Sequence, residues 1–247
     1  MGAIIEVDKV SKSYGGVVAN KDVSIKVELG GITGLIGPNG SGKTTLFNSI
    51  VGYHPIDSGS IRFENQEISK LNVQQIARLG LLRTFQQTRI YGEMNCVENM
   101  LISQPHRKMS LLESFARNGK EDYERADRLL EFVGLYEKRY LRSGSLSFGQ
   151  QKLLEFAMAL MNEPTCLLLD EPTAGINPTL INGLIDRLRR ANEEFGITLF
   201  IIEHNMRVIM NMTDRIYCLA HGELLAEGTP SEIQNDQRVR DAYLGAH

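Results

Sequence analysis

Apolar and polar residues alternate along the first part of the chain. The segments AIIEVDKV and VSIKVEL, within residues 3–36, place apolar side chains at every second position. This period of two is typical of a half-buried β-strand. The glycine pairs Gly15-Gly16 and Gly30-Gly31 punctuate these segments as turns. Together with GSIRFENQEIS at residues 59–69, they predict a strand-rich N-terminal region.

The pattern changes to a mainly helical one from about residue 72 to residue 162. The segments LLESFARN and YERADRLLEFVGL carry apolar residues at helical spacing. A further helix is predicted over residues 43–52, directly after a glycine-rich loop. We therefore expect a helical lobe, near residues 87–162, inserted into the remainder of the fold.

Two short apolar runs have the length and composition of buried strands. They are TCLLLD at residues 165–170 and TLFIIE at residues 198–203, and a predicted helix at residues 178–195 lies between them. A strand–helix–strand unit of this kind predicts a parallel sheet. RIYCLAHGELLAEG then predicts a hairpin with His221-Gly222 as its turn. Thr229, as the cap, and Pro230, in the first turn, open a predicted C-terminal helix.

Composition excludes several classes of protein. The net charge of −3 lacks the basic character of a nucleic-acid binder, so no nucleic-acid partner is expected. The three cysteines, Cys96, Cys166 and Cys218, are far apart and odd in number, which favours reduced thiols in a cytosolic compartment. No apolar run approaches the roughly 18 residues of a membrane span, and we expect no secretory signal. If the protein works at a membrane, a partner must hold it there.

The segment GPNGSGKT at residues 37–44 matches the phosphate-loop pattern G-x-x-x-x-G-K-[ST]. It follows an apolar strand and opens a helix, which is the context that the motif requires. Its glycines allow backbone N–H groups to surround phosphate oxygens. Lys43 is expected to reach the outer phosphates and Thr44 to bind Mg²⁺. Thr45 stands where a dinucleotide-binding pattern would need its third glycine, so that alternative fails.

Polar residues end both predicted buried strands. Asp170 and Glu171 end the first, where Asp170 can hold Mg²⁺ through water and Glu171 can deprotonate an attacking water. An exposed strand end with solubilising acids is the alternative. His204 follows the second strand and is a candidate for a γ-phosphate contact, although a lone histidine is usually structural. We interpret the remaining histidines as structural: His54, His106, His221 and His247.

Three further features are consistent with a nucleotide site, but each is weak evidence when it is taken alone. Gln86, in LLRTFQQ, carries a neutral amide that can bind Mg²⁺ or water, but a surface glutamine is common. Tyr14 precedes a glycine turn and can stack on adenine, or simply pack. The turn LSFGQ at residues 146–150 opens an apolar helix, and such a helix N-terminus favours an anion.

In this order, the motifs resemble those of the ATP-binding subunits of ABC transporters, over essentially the whole chain. GPNGSGKT, TFQ, LSFGQ, CLLLDEP and IIEHN correspond to the family's five motifs. The resemblance implies that Tyr14 stacks on adenine and that Gln86 senses the γ-phosphate. It also implies that Glu171 is the catalytic base, that His204 is the switch, and that LSFGQ contacts ATP held by a neighbouring subunit.

The same resemblance implies a fold and a site. The fold class is α/β: a P-loop NTPase core with a mainly parallel sheet, an antiparallel β subdomain and an inserted α-helical subdomain. The domain is expected to divide into a core with the β subdomain (1–86 and 163–229), a helical subdomain (87–162) and a C-terminal helix (230–247). The residues expected to bind ATP are Tyr14, Gly37, Pro38, Asn39, Gly40, Ser41, Gly42, Lys43, Thr44, Thr45, Ser147, Gly149 and Gln150. The expected Mg²⁺ ligands are Thr44, Gln86 and Asp170.

Within the family, the chain is similar to the ATPases of branched-chain amino acid uptake systems, as in DEPTAGINP and the final segment from DRIYCLAHG onwards. This similarity implies an ATPase that powers an importer as a dimer with a second copy or a sister ATPase. Its other implied partners are permease subunits and, indirectly, a substrate-binding protein, at the cytoplasmic face of the membrane. The permease surface is expected around residues 86–100, although helix packing explains part of that apolar run. Its apolar members are Ile90, Tyr91, Met94, Val97 and Met100.

Two residues depart from the family pattern. Phe148 replaces the first glycine of LSGGQ, so its side chain must point away from the nucleotide, and Asn177 stands where an aspartate is usual. Three alternatives remain: another cargo such as urea, an amide or lipopolysaccharide; a soluble ABC-type ATPase without a transporter; and a non-enzymatic regulatory subunit.

Overall fold

A computed structural model of the protein describes residues 2–84, 90–104 and 119–244, with only the backbone of Leu244. Ten strands and nine α-helices form within these residues. The strands are β1 (Ala3–Tyr14), β2 (Val17–Glu28), β3 (Ile32–Ile36), β4 (Ser58–Phe63), β5 (Gln66–Glu67), β6 (Leu81–Arg83), β7 (Cys166–Asp170), β8 (Thr198–Ile202), β9 (Arg215–Ala220) and β10 (Glu223–Gly228). The helices are α1 (Lys43–Ile50), α2 (Val73–Arg78), α3 (Cys96–Ile102), α4 (Lys120–Phe132), α5 (Phe148–Leu160), α6 (Pro178–Phe195), α7 (Met206–Met212), α8 (Pro230–Asn235) and α9 (Gln237–Leu244).

The N-terminal strands form an antiparallel sheet in the order β2-β1-β4-β5. Ile5 lies opposite Val27 and Val7 opposite Ile25, and all four side chains are buried. The polar residues between them face away from this apolar side, as the alternating pattern requires. The predicted strands of the N-terminal region are therefore confirmed.

The second sheet is mainly parallel, in the order β10-β9-β3-β8-β7-β6. Every residue of β3, β7 and β8 is buried, which is expected of strands covered on both faces. The edge strand β10 runs antiparallel to β9. The hairpin between them turns at His221 and Gly222, whose φ angles of 51° and 81° are those of a tight hairpin turn. The predicted hairpin and parallel sheet are confirmed.

The chain divides into two compact units. The first comprises Met1–Arg83, Thr165–Thr173 and Leu188–His247, and it contains both sheets. Strands from both sheets and helix α1 contribute to one apolar core. At its centre, the rings of Phe47 and Phe200 lie 4.7 Å apart. This core fixes α1 against the parallel sheet.

The second unit comprises Thr84–Pro164 and Ala174–Arg187, and it is helical. It contains α3, α4, α5 and the first part of α6. Buried Asn99 joins its loops, since its side-chain amide donates to the carbonyl of Tyr91 at 3.1 Å and to Ser143 Oγ at 3.1 Å. The helical character expected here is observed in the described residues, whereas LLESFARN lies outside them. The subdomain boundaries inferred from the sequence stay a prediction.

Two elements differ from the sequence-based expectation. β6 is a short strand that pairs with β7 within a stretch expected to be mainly helical. The expected single C-terminal helix is two helices, because Asp236 is extended between α8 and α9. The Asp236 carboxylate accepts a hydrogen bond from the N–H of Arg238 at 2.8 Å, and such local bonds compete with helix continuation. The predicted cap Thr229 is confirmed at the start of α8.

None of the helices in the described part of the chain has both the length and the apolar character that crossing a bilayer requires.

Candidate functional site

Three adjacent parallel strands deliver the candidate residues to one edge of the sheet. β8 lies between β3 and β7. The GPNGSGKT loop follows β3, Asp170 ends β7, and His204 comes shortly after β8. The carboxyl ends of parallel strands form the ligand-binding edge of an open α/β sheet. The fold thus gathers residues that are far apart in the sequence.

Two glycines give the loop its shape. Gly37 has φ +147°, and a Cβ there would lie 2.1 Å from the carbonyl oxygen of Leu219. Gly42, the residue before α1, has φ +98°, and a Cβ there would lie 2.2 Å from the carbonyl oxygen of Ala19. Both positions exclude a side chain by conformation and by contact. Gly37 and Gly42 therefore serve the close packing of this loop.

Lys43 is almost fully buried and turns back into its own loop. Its ammonium donates to the carbonyls of Gly37 at 2.8 Å and Pro38 at 2.9 Å. Burial lowers the pKa of Lys43 below its ordinary value, while Glu171 and Asp170 oppose that shift. The ammonium is therefore a desolvated donor, held where phosphate oxygens are expected to bind.

The first turn of α1 and the C-terminal helix α9 flank the loop. Thr44 is exposed and Thr45 is half-buried in that first turn. The N–H of Gly37 donates to the Tyr243 hydroxyl at 2.8 Å, and burial raises the pKa of Tyr243 to about 12. A depression of about 300 Å³ lies between the loop and α9; it is lined by Pro38, Asn39, Gly40, Ser41, His221, Asp241 and Ala242. The role of Tyr243 has no signal in the sequence, because nothing local marks a contact 206 residues away.

Asp170 is paired with Arg83, an arginine that the sequence motifs do not include. Arg83 Nη2 donates to Asp170 Oδ2 at 2.6 Å, and both side chains are buried. The other carboxylate oxygen, Asp170 Oδ1, is buried and has no hydrogen-bond partner among the described residues. The only signal for Arg83 in the sequence is a charge directly after the short apolar pair Leu81-Leu82.

Glu171 and His204 are in direct contact. His204 Nε2 lies 2.6 Å from Glu171 Oε1. Glu171 has φ +51°, an uncommon backbone conformation for a residue with a side chain, and its N–H donates to the carbonyl of Ile202 at 2.9 Å. The arrangement joins the candidate base to the candidate switch histidine.

Glu203 is buried beside His204 and connects the two turns that carry Glu171 and His204. Its carboxylate accepts from the N–H of Thr173 at 2.9 Å, from the Thr173 hydroxyl, and from the N–H groups of His204 at 3.1 Å and Asn205 at 3.2 Å. In the sequence, Glu203 stands out only as the end of TLFIIE. The signal in the sequence that could have identified Glu203 is its carboxylate, which directly follows a buried strand.

Tyr14 ends β1 and is partly exposed. Its ring meets the ring of His54 edge-on at 5.6 Å, and Lys12 Nζ lies 5.2 Å from its centroid. One part of the tyrosine is thus packed, while the exposed part remains accessible to a ligand. The adenine contact of Tyr14 stays a prediction.

The LSFGQ turn belongs to the helical unit and opens α5. Ser147 is the N-cap: its hydroxyl accepts from the N–H of Gln150 at 3.4 Å, and the Gln150 side chain accepts from the N–H of Ser147 at 3.2 Å. This capping box defines the helix start, where backbone donors and the helix dipole favour an anion. The ring of Phe148 packs against Gly175, with Lys152 Nζ 5.9 Å from the ring centroid.

Asn177 uses its side chain to start α6. Its Oδ1 accepts from the N–H of Thr179 at 3.1 Å and from the Thr179 hydroxyl at 2.9 Å. The carbonyl of Asn177 accepts from the N–H of Leu180 at 2.8 Å. The side-chain oxygen, which asparagine shares with the usual aspartate, is therefore engaged in a local turn.

Two other predictions concern Gln86 and the expected permease surface. Gln86 lies outside the described residues, so its role stays a prediction. Of the expected permease surface, Val97 and Met100 are instead buried in the helical unit, where α3 presents them at helical spacing. Tyr91 is exposed, whereas Ile90 and Met94 are half-buried. Helix packing thus accounts for the part of this run that lies on α3.

Residues 20–174 match the protein family described as ABC transporter. This chain belongs to the ABC transporter family. A second ABC family, described as branched-chain amino acid ATP-binding cassette transporter, matches residues 223–247. The high-affinity branched-chain amino acid transport ATP-binding protein BraF of Pseudomonas aeruginosa is 39% identical over 98% of each chain.

Solved ABC cassettes share the fold. The ADP conformation of one cassette has a TM-score of 0.90 and 34% identity over 99% of this chain and 100% of that one. A dimeric post-hydrolysis cassette bound to ADP and Pi has a TM-score of 0.77 and 26% identity over 92% and 98% of the two chains. The predicted family, the fold class and the assignment as an ABC transporter ATPase are confirmed.

Proposed function

We propose that this ABC ATPase powers the import of branched-chain amino acids. The 39% identity with BraF over nearly the full length of both chains supports that cargo, and so does the family match over residues 223–247. The cargo does not enter the chemistry of the ATPase itself, so this part of the proposal rests on relationship and not on the geometry of the site.

The observation that carries ATP hydrolysis is the Glu171–His204 pair on the same sheet edge as Lys43. In the proposed mechanism, the loop N–H groups and Lys43 hold the phosphates and offset their charge. Glu171 accepts the proton of the attacking water, while His204 holds Glu171 in place and contacts the γ-phosphate. Gln86 and Tyr14 have the supporting roles of γ-phosphate sensor and adenine platform.

The residues at this edge also fit Mg²⁺. Asp170 and Thr44 offer oxygen ligands, which this cation prefers, and Asp170 Oδ1 is buried without a partner among the described residues. When bound, Mg²⁺ neutralises charge on the phosphate oxygens. Within the chain, Asp170 and Thr44, with Gln86, are the residues proposed to hold it.

The working form is proposed to be a nucleotide-sandwich dimer. The chain has its own phosphate loop, so the LSFGQ turn is left to contact ATP bound by a neighbouring subunit, through Ser147, Gly149 and Gln150. The dimeric cassette with ADP and Pi, similar over most of this chain, supports a dimer. The neighbour is a second copy or a sister ATPase. Release of the γ-phosphate would open the pair and drive the permease.

Permease subunits would hold the ATPase at the cytoplasmic face of the membrane as a peripheral subunit. A substrate-binding protein would deliver the cargo on the opposite side. Exposed Tyr91 and the segment leading to α3 remain the proposed contact surface for the permease.

Reconstitution tests the proposal. The ATPase, copurified with its permease, is placed in proteoliposomes with the cognate substrate-binding protein, and uptake of labelled leucine, urea and a short amide is compared. ATP-dependent leucine uptake that is lost in a Lys43→Ala variant is the expected result. Uptake of urea or the amide, without uptake of leucine, would show that the cargo is not a branched-chain amino acid. ATP turnover without any permease partner would favour a soluble ATPase.

A further inference from the structure

We propose that Arg83 is a positioning residue that orients Asp170 for the divalent cation. The inference rests on the proposed function, in which Asp170 contributes to the Mg²⁺ site. Arg83 would hold one carboxylate oxygen of Asp170 and leave the other for the cation or one of its waters.

The contacts of Arg83 join two parts of the site. Nη2 donates to Asp170 Oδ2 at 2.6 Å, at the end of β7, and Nη1 donates to the side-chain oxygen of Asn48 on α1. The guanidinium also lies 5.8 Å from the ring centroid of Phe47. Arg83 is therefore fixed both to the helix that follows the phosphate loop and to the strand that carries Asp170.

The two oxygens of Asp170 have different surroundings. Only 1% of the Asp170 side chain and 9% of the Arg83 side chain is exposed, so water contributes little to the hydration of either charge. Oδ2 is held by Arg83, whereas Oδ1 has no partner within the described parts of the chain. A buried carboxylate oxygen that lacks a partner is unfavourable, and a cation or an ordered water supplies one. Groups that hold the second oxygen of a metal-binding carboxylate orient it and tune its affinity.

The guanidinium suits this task better than an ammonium would. Its planar fork presents two nitrogens to two acceptors in fixed directions, whereas lysine offers a single flexible point charge. Arg83 also ends β6, which pairs with β7 so that Arg83 lies opposite Leu168. The pairing places its side chain beside the end of β7, and Asp170 is held in one orientation as a result.

Manganese binding tests this assignment directly. Mn²⁺ favours the same oxygen ligands as Mg²⁺ and is detected by electron paramagnetic resonance. Its affinity is measured on protein saturated with a non-hydrolysable ATP analogue, for wild type, Arg83→Gln and Arg83→Lys. We expect Mn²⁺ affinity to fall about 10- to 100-fold in Arg83→Gln, with partial recovery in Arg83→Lys. Binding of the analogue in EDTA should stay near the wild-type level.

Arg215→Gln is the matched control, because Arg215 forms an ion pair of 3.0 Å with Glu227 in the same unit, but with both side chains about half exposed. It should leave Mn²⁺ affinity unchanged. If Arg83→Gln does not fold, Asn48→Ala tests the same idea by removing the other anchor of the guanidinium, and it should weaken Mn²⁺ binding to a smaller extent. Unchanged or tighter Mn²⁺ binding in the folded variant used would overturn the proposal. Wild-type protein that binds neither the analogue nor Mn²⁺ would instead refute the proposed function.

Discussion

His204 Nε2 lies 2.6 Å from Glu171 Oε1, although the two residues are 33 positions apart and follow different strands. Glu171 adopts a left-handed backbone conformation, with φ +51°, and a residue with a side chain keeps such a conformation only when its surroundings enforce it. The hydrogen bond from Glu171 N–H to Ile202 and the carboxylate of Glu203 beneath His204 provide that support. The chain thus builds this pair from its own contacts.

Replacing Glu171 with glutamine should abolish most turnover while leaving ATP binding intact. Glutamine keeps the shape and a hydrogen-bonding oxygen but is no longer a base, and loss of a general base typically lowers a rate by about 10²- to 10⁴-fold. Phosphate release and ATP affinity, measured separately, check this prediction. Glu64→Gln is the control, since Glu64 is exposed and also has a positive φ, of 49°. Undiminished turnover in Glu171→Gln would remove Glu171 from the base role.

His204→Ala and Glu171→Gln should have strongly non-additive effects on turnover. Because the two side chains touch, removing one already disables part of the function of the other. We expect His204→Ala to lower the rate substantially in the wild type and much less in the Glu171→Gln background. A double-mutant cycle on kcat measures this coupling. Independent, multiplicative losses would mean that the contact has no role in turnover.

Lys43→Ala should weaken ATP binding by about 10- to 100-fold, since a hydrogen bond to a charged group contributes roughly 1.5–3 kcal/mol. Equilibrium titration with a fluorescent ATP analogue is the measurement. Lys21→Ala serves as the control, because Lys21 is exposed and pairs only at the surface with Glu223. Equal affinity of the Lys43→Ala variant and the wild type would contradict the assignment of the phosphate loop.

Gly149→Asp should abolish hydrolysis while leaving ATP binding by the monomer largely intact. A carboxylate at the start of α5 would repel the γ-phosphate of a neighbouring subunit, whereas the phosphate loop of the same chain is unaltered. A Cβ at Gly149 would also lie 3.2 Å from Leu180 Cδ1, so a steric effect must be separated from the charge. Gly149→Ala adds the same Cβ without charge and should retain much more turnover. Equal losses in both variants, in a turnover assay, would point to packing instead.

Tyr243→Phe should reveal a pH-dependent contribution of the Tyr243 hydroxyl to stability. Burial raises the pKa of Tyr243 from 10.0 to about 12, so the folded state favours the protonated hydroxyl. Its contribution is therefore fully present below pH 10 and is lost as the pH rises from 10 towards 12. The difference in free energy of unfolding between wild type and Tyr243→Phe, from urea titrations at pH 8–11, should be constant at first and then shrink. Tyr123→Phe, at an exposed tyrosine, should show no such change, and a flat difference for Tyr243 up to pH 11 would contradict the prediction.

Several features could be predicted because their causes lie within short stretches of sequence. The alternation in β1 and β2 predicts which side chains are buried, and the His221-Gly222 turn needs only residues that tolerate positive φ. The order of motifs predicted the family and the ATPase. By contrast, Val97 and Met100 belong to the core of the helical unit, because an apolar helical stripe looks the same whether it covers a partner or its own neighbours.

The sequence by itself determined most of the elements, the phosphate loop and the residue types that the chemistry requires, since these depend on spacing along the chain. Only the tertiary structure decided which distant residues meet. Arg83 reaches Asp170 across 87 positions, and Gly37 reaches Tyr243 across 206. The break at Asp236 sets where α9 starts and so contributes to that second contact. Strand order and helix docking create these contacts by packing, and packing has no signature in the local pattern of either residue.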